Sequence, residues 1–91
     1  MGELMLSVPD YDPSRGVVIQ PEGGDVLVRC GDSGVEILAD AAGLRDLARW
    51  CLALADEHVP GGAHVHLDPG TAPLTASAVP LLIGREDRLA T

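Results

Sequence analysis

The sequence predicts an α+β fold, in which an antiparallel sheet of four to six strands carries one long α-helix on one face. Three observations predict it. Apolar and polar residues alternate in several short runs, as they do in half-buried strands. One stretch, residues 40–58, changes to a period near 3.6, which is typical of an amphipathic helix. Clusters of turn residues leave only short connections between the runs, which favours hairpins and antiparallel pairing.

Six runs have the alternation and the β-branched residues of strands, which gives the order ββββ-α-ββ along the chain. The third and fourth runs flank Gly31-Asp32-Ser33-Gly34, whose residues favour a hairpin turn. The strand candidates are residues 3–8, 17–19, 26–30, 35–39, 64–68 and 79–83.

The predicted helix has a capping residue at its start and a break after its end. Asp40 is placed to accept hydrogen bonds from the first free amides, and Pro60-Gly61-Gly62 ends the element. We expect Trp50 at the edge of the buried stripe and the charged residues, Asp46 among them, on a solvated face. The stripe expected to face the sheet is Leu44, Leu47, Ala48, Cys51, Leu52, Leu54 and Ala55.

Length and charge limit the classes of protein that fit. With 91 residues the chain is expected to form one domain, 1–91, with residues 85–91 as a frayed tail. Six basic against fourteen acidic residues give a net charge of −8, which argues against binding to nucleic acid or to an anionic membrane. The N-terminus has no positively charged region before an apolar stretch, so we expect a cytoplasmic protein.

The sheet face opposite the helix is predicted to bind a protein. One helix covers only one side of a sheet, and the other side carries about one large apolar residue per strand among polar ones. Either a homodimer or a different protein partner fits such a surface. The alternative is a set of surface hydrophobic residues without a partner. The residues predicted to contact the partner are Met5, Val18, Leu27, Leu38, Leu82, His64 and His66.

One short pattern has the residue types of a metal site. His64, His66 and Asp68 alternate along a predicted strand, so their side chains share one face and could bind zinc or a similar ion. The alternative is three polar residues on the solvated side of a half-buried strand. Cys30 and Cys51 have no CxxC spacing and are expected to be buried apolar residues, although a disulfide between them stays open. No catalytic motif is present, and no cofactor is expected.

The helix and the segment after it resemble a known family. The quoted motifs are Ala42-Gly43-Leu44-Arg45-Asp46-Leu47-Ala48, Pro60-Gly61-Gly62, His64-Val65-His66-Leu67-Asp68 and Leu81-Leu82-Ile83. Over about residues 34–85, this pattern resembles the Immunity protein 32 family of bacterial polymorphic-toxin systems. The resemblance implies a small α+β protein that binds and blocks a cognate toxin and has no catalytic activity of its own.

Overall fold

The computed structural model describes residues 2–89, which form two β-hairpins and one helix. In chain order, the elements are β1 (Val26–Gly31), β2 (Gly34–Ala39), α1 (Ala41–Leu54), β3 (His64–Leu67) and β4 (Leu81–Gly84). β1 and β2 form one antiparallel two-stranded sheet, and β3 and β4 form a second one. The predicted hairpin turn is confirmed, because Gly31 and Gly34 close the first hairpin around Asp32 and Ser33.

The prediction of a single sheet of four to six strands is wrong. The edge of β1 that faces away from β2 is occupied by the irregular segment 73–79, so the second hairpin does not extend the first. Val26 donates its N–H to the Pro73 carbonyl at 2.8 Å, and Thr75 donates back to the Val26 carbonyl at 2.9 Å. The N–H of Val79 donates to the Val28 carbonyl at 2.8 Å. These bonds occupy the outer edge of β1 at Val26 and Val28 in place of a further strand.

The first two predicted strands, 3–8 and 17–19, do not form. An alternating pattern makes a strand only where a neighbouring edge supplies hydrogen-bond partners, and the structure pairs neither segment with a strand. Leu4 and Met5 are largely exposed, whereas Ile19 reaches the core from an irregular segment. The order is therefore ββ-α-ββ.

The start of the helix was predicted correctly and its end was not. Asp40 is the N-cap, and its Oδ1 accepts the N–H of Gly43 at 2.8 Å. α1 ends at Leu54 with Ala55 as the C-cap, although the periodicity predicted helix to residue 58. The chain turns there instead, and the Val59 N–H donates to the Asp56 carbonyl at 3.0 Å.

The face that α1 buries differs from the predicted one. Leu44 and Leu52 are about half exposed, and Cys51 and Ala55 are exposed. The reason lies at Gly43, where an added Cβ would be 2.5 Å from the carbonyl oxygen of Asp25, so the first turn packs directly on the backbone before β1. That close approach turns Gly43, Asp46 and Trp50 inward, whereas Leu54 and, in part, Leu47 of the predicted stripe are buried as expected. The buried residues of α1 are Gly43, Asp46, Trp50, Ala53 and Leu54.

The core lies between the inner faces of the two hairpins and the buried stripe of α1. On β3, burial alternates so that Val65 and Leu67 point inward and His64 and His66 point outward. Cys30 and Cys51 are both free and exposed, which corrects the expectation that they are buried. The core residues are Ile19, Val26, Val28, Trp50, Ala53, Leu54, Val65, Leu67, Leu74 and Ala78.

The predicted frayed tail, residues 85–91, begins with a residue that makes several contacts. Arg85 donates from Nη1 to the carbonyls of Leu54 and Asp56, at 3.1 and 2.6 Å, and from its N–H to the Ala63 carbonyl at 2.8 Å. The last part of the predicted tail, Ala90 and Thr91, lies outside the described residues. Within residues 2–89, no helix has the length and apolar character needed to cross a membrane.

Candidate protein-binding surface

The outer face of the second hairpin brings three of the predicted partner-binding residues together. His66 lies directly opposite Leu82 in the register of β3 and β4, and both side chains are exposed. The ring of His64 stands edge-on to that of His66, with 4.9 Å between the ring centroids. His64 Nδ1 lies 3.0 Å from the carbonyl oxygen of Gly62, which fixes the ring at the start of the strand. We call His64, His66 and Leu82 the β3–β4 face.

Val18 borders the same surface. A cleft of about 400 Å³ lies between the segment that contains Val18 and strand β3. Val18, His64 and His66 line it, and the buried ring of Trp50 forms part of its wall. Three of the predicted partner-binding residues, Val18, His64 and His66, therefore line one cleft, and Leu82 lies next to it as the register partner of His66.

The other three predicted residues lie elsewhere. Leu27 and Leu38 are register partners on the first hairpin, where Leu27 is half buried and Leu38 is exposed. Met5 is almost fully exposed and lies outside every strand and helix. Because the two hairpins form separate sheets, the single continuous face expected from the alternation is divided into separate patches.

The trio proposed to bind a metal is only partly assembled. His64 and His66 are adjacent, and Asp68 follows the end of β3 on the exposed surface. In the part of the chain that the structure describes, no group of three or more His, Cys, Asp or Glu side chains is placed to hold a metal ion. The metal site stays a prediction from the sequence.

An acidic cleft lies beside the C-terminal end of α1. Its volume is about 730 Å³, and it is lined by Asp10, Tyr11, Asp56, Glu57 and His58. The backbone N–H of His58 donates to Asp56 Oδ1 at 2.8 Å and holds the pKa of Asp56 below its ordinary value. Three carboxylates around one opening give this side of the molecule a negative potential, which attracts basic groups.

An ionic network around the buried Asp46 attaches the loop before β1 to the helix, and the sequence reasoning missed it. Asp46 was expected to be solvated, but it is fully buried and accepts a hydrogen bond from Arg49 Nη1 at 3.1 Å. Arg49 also pairs with Glu22, and Arg45 Nη2 donates to Glu22 Oε1 at 3.0 Å. These two arginines lower the pKa of Glu22 from 4.5 to about 2, Arg45 having the larger effect.

A signal for Asp46 was present in the sequence. It is three residues after Gly43 and four before Trp50, so all three lie on one helical face. Trp50, the only tryptophan, is the best marker of the buried side. A stripe centred on Trp50 would have placed Asp46 in the interior.

Comparison with known protein families identifies the family of this chain. The model of the family described as Immunity protein 32 matches residues 34–86, more than half of the 91-residue chain. The chain belongs to the Immunity protein 32 family. The resemblance inferred from the helix and strand motifs is thereby confirmed. No curated protein and no solved structure gives a significant match.

The Immunity protein 32 match covers most of the secondary structure and only part of the candidate surface. It runs from the first residue of β2, through α1 and β3, to two residues beyond β4. His64, His66 and Leu82 all lie within it, and so does Leu38. Val18 and β1 precede the match. The β3–β4 face therefore belongs to the family segment, whereas the N-terminal wall of its cleft is formed by residues outside that segment.

Proposed function

We propose that this chain is an immunity protein that binds a cognate bacterial toxin in the cytoplasm and neutralises it without catalysis. The observation that carries the proposal is membership of the Immunity protein 32 family. The toxin is proposed to be a basic protein, because a net charge of −8 favours association with a partner of opposite charge.

The β3–β4 face is the proposed contact surface. Leu82 is 56% exposed and lies beside two imidazoles, which suits an apolar anchor with polar groups around it. Val18 and the cleft beneath it offer a pocket for a partner side chain. The acidic cleft, with Asp10, Asp56 and Glu57, would raise the association rate through its field and would not need direct contact.

Neutralisation then follows from binding alone. A protein that covers the active surface of a toxin, or holds it in an inactive conformation, requires no nucleophile or cofactor. The physical requirement is a slowly dissociating complex. Slow dissociation comes from a desolvated apolar centre, and a fast encounter comes from complementary charge.

The first experiment measures whether the chain protects cells from the toxin encoded beside this gene and whether the two purified proteins bind. We expect a bacterial host that expresses the toxin to survive only when the chain is co-expressed, and the purified proteins to form a stoichiometric complex in calorimetry. The association rate should fall as salt rises, because screening weakens attraction between opposite charges. Absence of both protection and complex formation would overturn the proposed function.

A second experiment locates the contact surface. Leu82→Asp places a charge in the proposed apolar centre and should weaken toxin binding by at least about tenfold. The matched control is Leu44→Asp, which adds the same charge at a leucine of α1 that is 53% exposed, and it should leave affinity within about threefold. Equal effects of the two substitutions would contradict the assignment to the β3–β4 face.

A homodimeric structural or regulatory module is the second candidate function. The observation that favours it is the open edge of β2, whose residues are exposed along almost the whole strand. Such a module would use the first hairpin, whereas toxin binding would use the second one. Both activities can therefore belong to the same molecule.

A further inference from the structure

β2 is an edge strand with an unpaired side. Its sheet contains only β1 and β2, and β1 already uses both of its edges, one for β2 and one for segment 73–79. Five of the six residues of β2 are exposed, and Ala39 alone is half buried. Within residues 2–89, no strand lies along the outer side of β2.

The register identifies which backbone groups are free. In an antiparallel pair, residues alternate between exchanging hydrogen bonds with the partner strand and pointing away from it. Val26 and Val28 form backbone hydrogen bonds to segment 73–79, so their backbone N–H and C=O groups point away from β2. Their register partners are Ala39 and Ile37, whose backbone N–H and C=O groups consequently point away from β1. The backbone groups of Val35 follow the same alternation. The open edge therefore presents the N–H and C=O groups of Val35, Ile37 and Ala39.

The side chains along this edge are apolar and unprotected. Val35 is 67% exposed and Ile37 is 46% exposed. They project from the face of the hairpin that packs Val26 and Val28 into the core. Natural edge strands are usually protected against pairing by proline, lysine or a bulge, and β2 has none of these in its uninterrupted register.

We propose that a second copy of this chain pairs with β2 in antiparallel orientation, with the two-fold axis at Ile37. In this register, Ile37 pairs with Ile37 of the second copy and Val35 pairs with Ala39 of the second copy. Each of the three residues with free backbone groups, Val35, Ile37 and Ala39, is then paired with an apolar residue of the second copy. The result is a continuous four-stranded sheet in the order β1, β2, β2 of the second copy, β1 of the second copy.

The charge of Glu36 favours this register over the one whose two-fold axis lies one residue earlier. Centring the two-fold on Glu36 would place two carboxylates directly opposite each other, which is destabilising. Centring it on Ile37 places Glu36 opposite Leu38 of the second copy instead. The edge itself offers no charge that would select a basic partner strand, because Glu36, the only charged residue of β2, is already paired with Arg29 at 3.4 Å.

The size of the contact and the charge of the molecule set the strength of the dimer. A six-residue strand is about 20 Å long, so edge pairing buries well under the roughly 1,200 Å² of a stable interface. Each copy also carries a net charge of −8, so the copies repel each other. The dimer is therefore weak and concentration-dependent, and added salt strengthens it by screening the repulsion.

Sedimentation equilibrium of the intact protein tests the dimer directly. Between about 10 µM and about 1 mM, the mean mass should rise from that of the monomer toward twice that value, and the rise should be larger at high salt. A constant monomer mass over this range, at low and high salt alike, would overturn the proposal. The toxin complex has the opposite salt dependence, so failure of the dimer is distinguishable from failure of the proposed function.

Two substitutions with the same exposure and charge test the register. Ile37→Lys places two ammonium groups opposite each other at the two-fold and should weaken dimerisation at least tenfold. Leu38→Lys is the control, because Leu38 is 45% exposed and its lysine would face Glu36 of the second copy, so dimerisation should be retained or strengthened. Equal weakening by both, or the reverse order, would overturn the register.

Hydrogen exchange in the native chain gives a second readout that needs no variant. The N–H groups of Val35 and Ile37 should exchange more slowly as the protein concentration rises, whereas those of Glu36 and Leu38, which already bond to β1, should not change. Exchange at Val35 and Ile37 that does not depend on concentration would contradict β2 pairing even if a dimer formed through another surface.

Discussion

Both carboxylate oxygens of Asp46 accept the backbone N–H of Glu22, at 3.2 and 3.0 Å, and join residues that are 24 positions apart. The side chain of Glu22 in turn pairs with Arg45 and Arg49, which lie on either side of Asp46 along α1. The loop before β1 is thus attached to the helix through one buried acid and one surface acid. This attachment holds the first hairpin against α1.

Removal of Asp46 should destabilise the protein strongly. Asp46→Ala leaves the Glu22 N–H without an acceptor and Arg49 without its buried partner, which should lower the free energy of unfolding by about 2 to 4 kcal/mol. Asp46→Asn keeps an acceptor oxygen of similar size and should cost about half as much. Urea unfolding followed by circular dichroism measures both. The control Glu57→Ala removes an equal charge at an exposed site, and a loss there as large as that of Asp46→Ala would contradict a specific role for the network.

Stability should fall on acidification through Glu22. The pKa of Glu22 in the folded protein is about 2, below the ordinary value of 4.5, because Arg45 and Arg49 favour its charged form. A lowered folded pKa means that the unfolded chain binds the proton first. The contribution of ionised Glu22 to the free energy of unfolding is complete above about pH 4.5 and is lost as the pH falls toward about 2.

Unfolding measured between pH 6 and pH 2 should show this loss, and Glu22→Gln should flatten the curve over the same window. The hydrogen bonds of Ser14 to Asp12 and of His58 to Asp56 lower the pKa of those two carboxyls as well, so some acid sensitivity should remain in the variant. An unchanged pH dependence in Glu22→Gln would show that the arginine contacts do not stabilise the fold.

Gly43→Ala should destabilise the chain even though alanine is the better helix former. An added methyl group would lie 2.5 Å from the Asp25 carbonyl oxygen and 2.9 Å from Val26 Cγ2, so the helix would have to move away from β1. The expected loss is about 1 to 3 kcal/mol by thermal or urea unfolding. Gly31→Ala is the control, because nothing lies within 4 Å of its added Cβ, and it should stay within about 0.5 kcal/mol of the native protein. A neutral or stabilising Gly43→Ala would disprove the close packing at the helix start.

Zinc titration tests the histidine trio. His64 and His66 are adjacent, but the described residues place no third acidic, cysteine or histidine side chain with them. We therefore expect no stoichiometric heat in calorimetry with zinc at micromolar protein. Saturable binding that disappears in His66→Ala would revive the metal site, and binding that persists in that variant would place the zinc elsewhere.

Local features of the sequence predicted local structure well. The turn residues of Gly31-Asp32-Ser33-Gly34 close a hairpin, and Asp40 caps the helix, because each depends on neighbouring backbone groups alone. The last four predicted strands form with small shifts of their ends. The outward direction of His64 and His66 also followed from alternation along one strand.

The hydrophobic period alone did not predict which face of α1 is buried. Apolar residues occupy most of the helix circumference, since Leu44 and Leu52 on one side balance Trp50 and Leu54 on the other. A hydrophobic period defines a direction only when the opposite side is polar. The choice was made by the close approach of Gly43 to the backbone before β1, which is a contact between segments distant in the sequence.

The sequence by itself determined the last four strands, the hairpin turn between the first two of these, the capped start of the helix, the acidic charge and the family. Each of these depends on composition or on residues close together along the chain. Tertiary structure decided that the hairpins form separate sheets, that Asp46 is buried and that β2 keeps an open edge. These outcomes depend on contacts between segments that are distant in the sequence, such as the backbone hydrogen bonds through which segment 73–79 occupies the outer edge of β1.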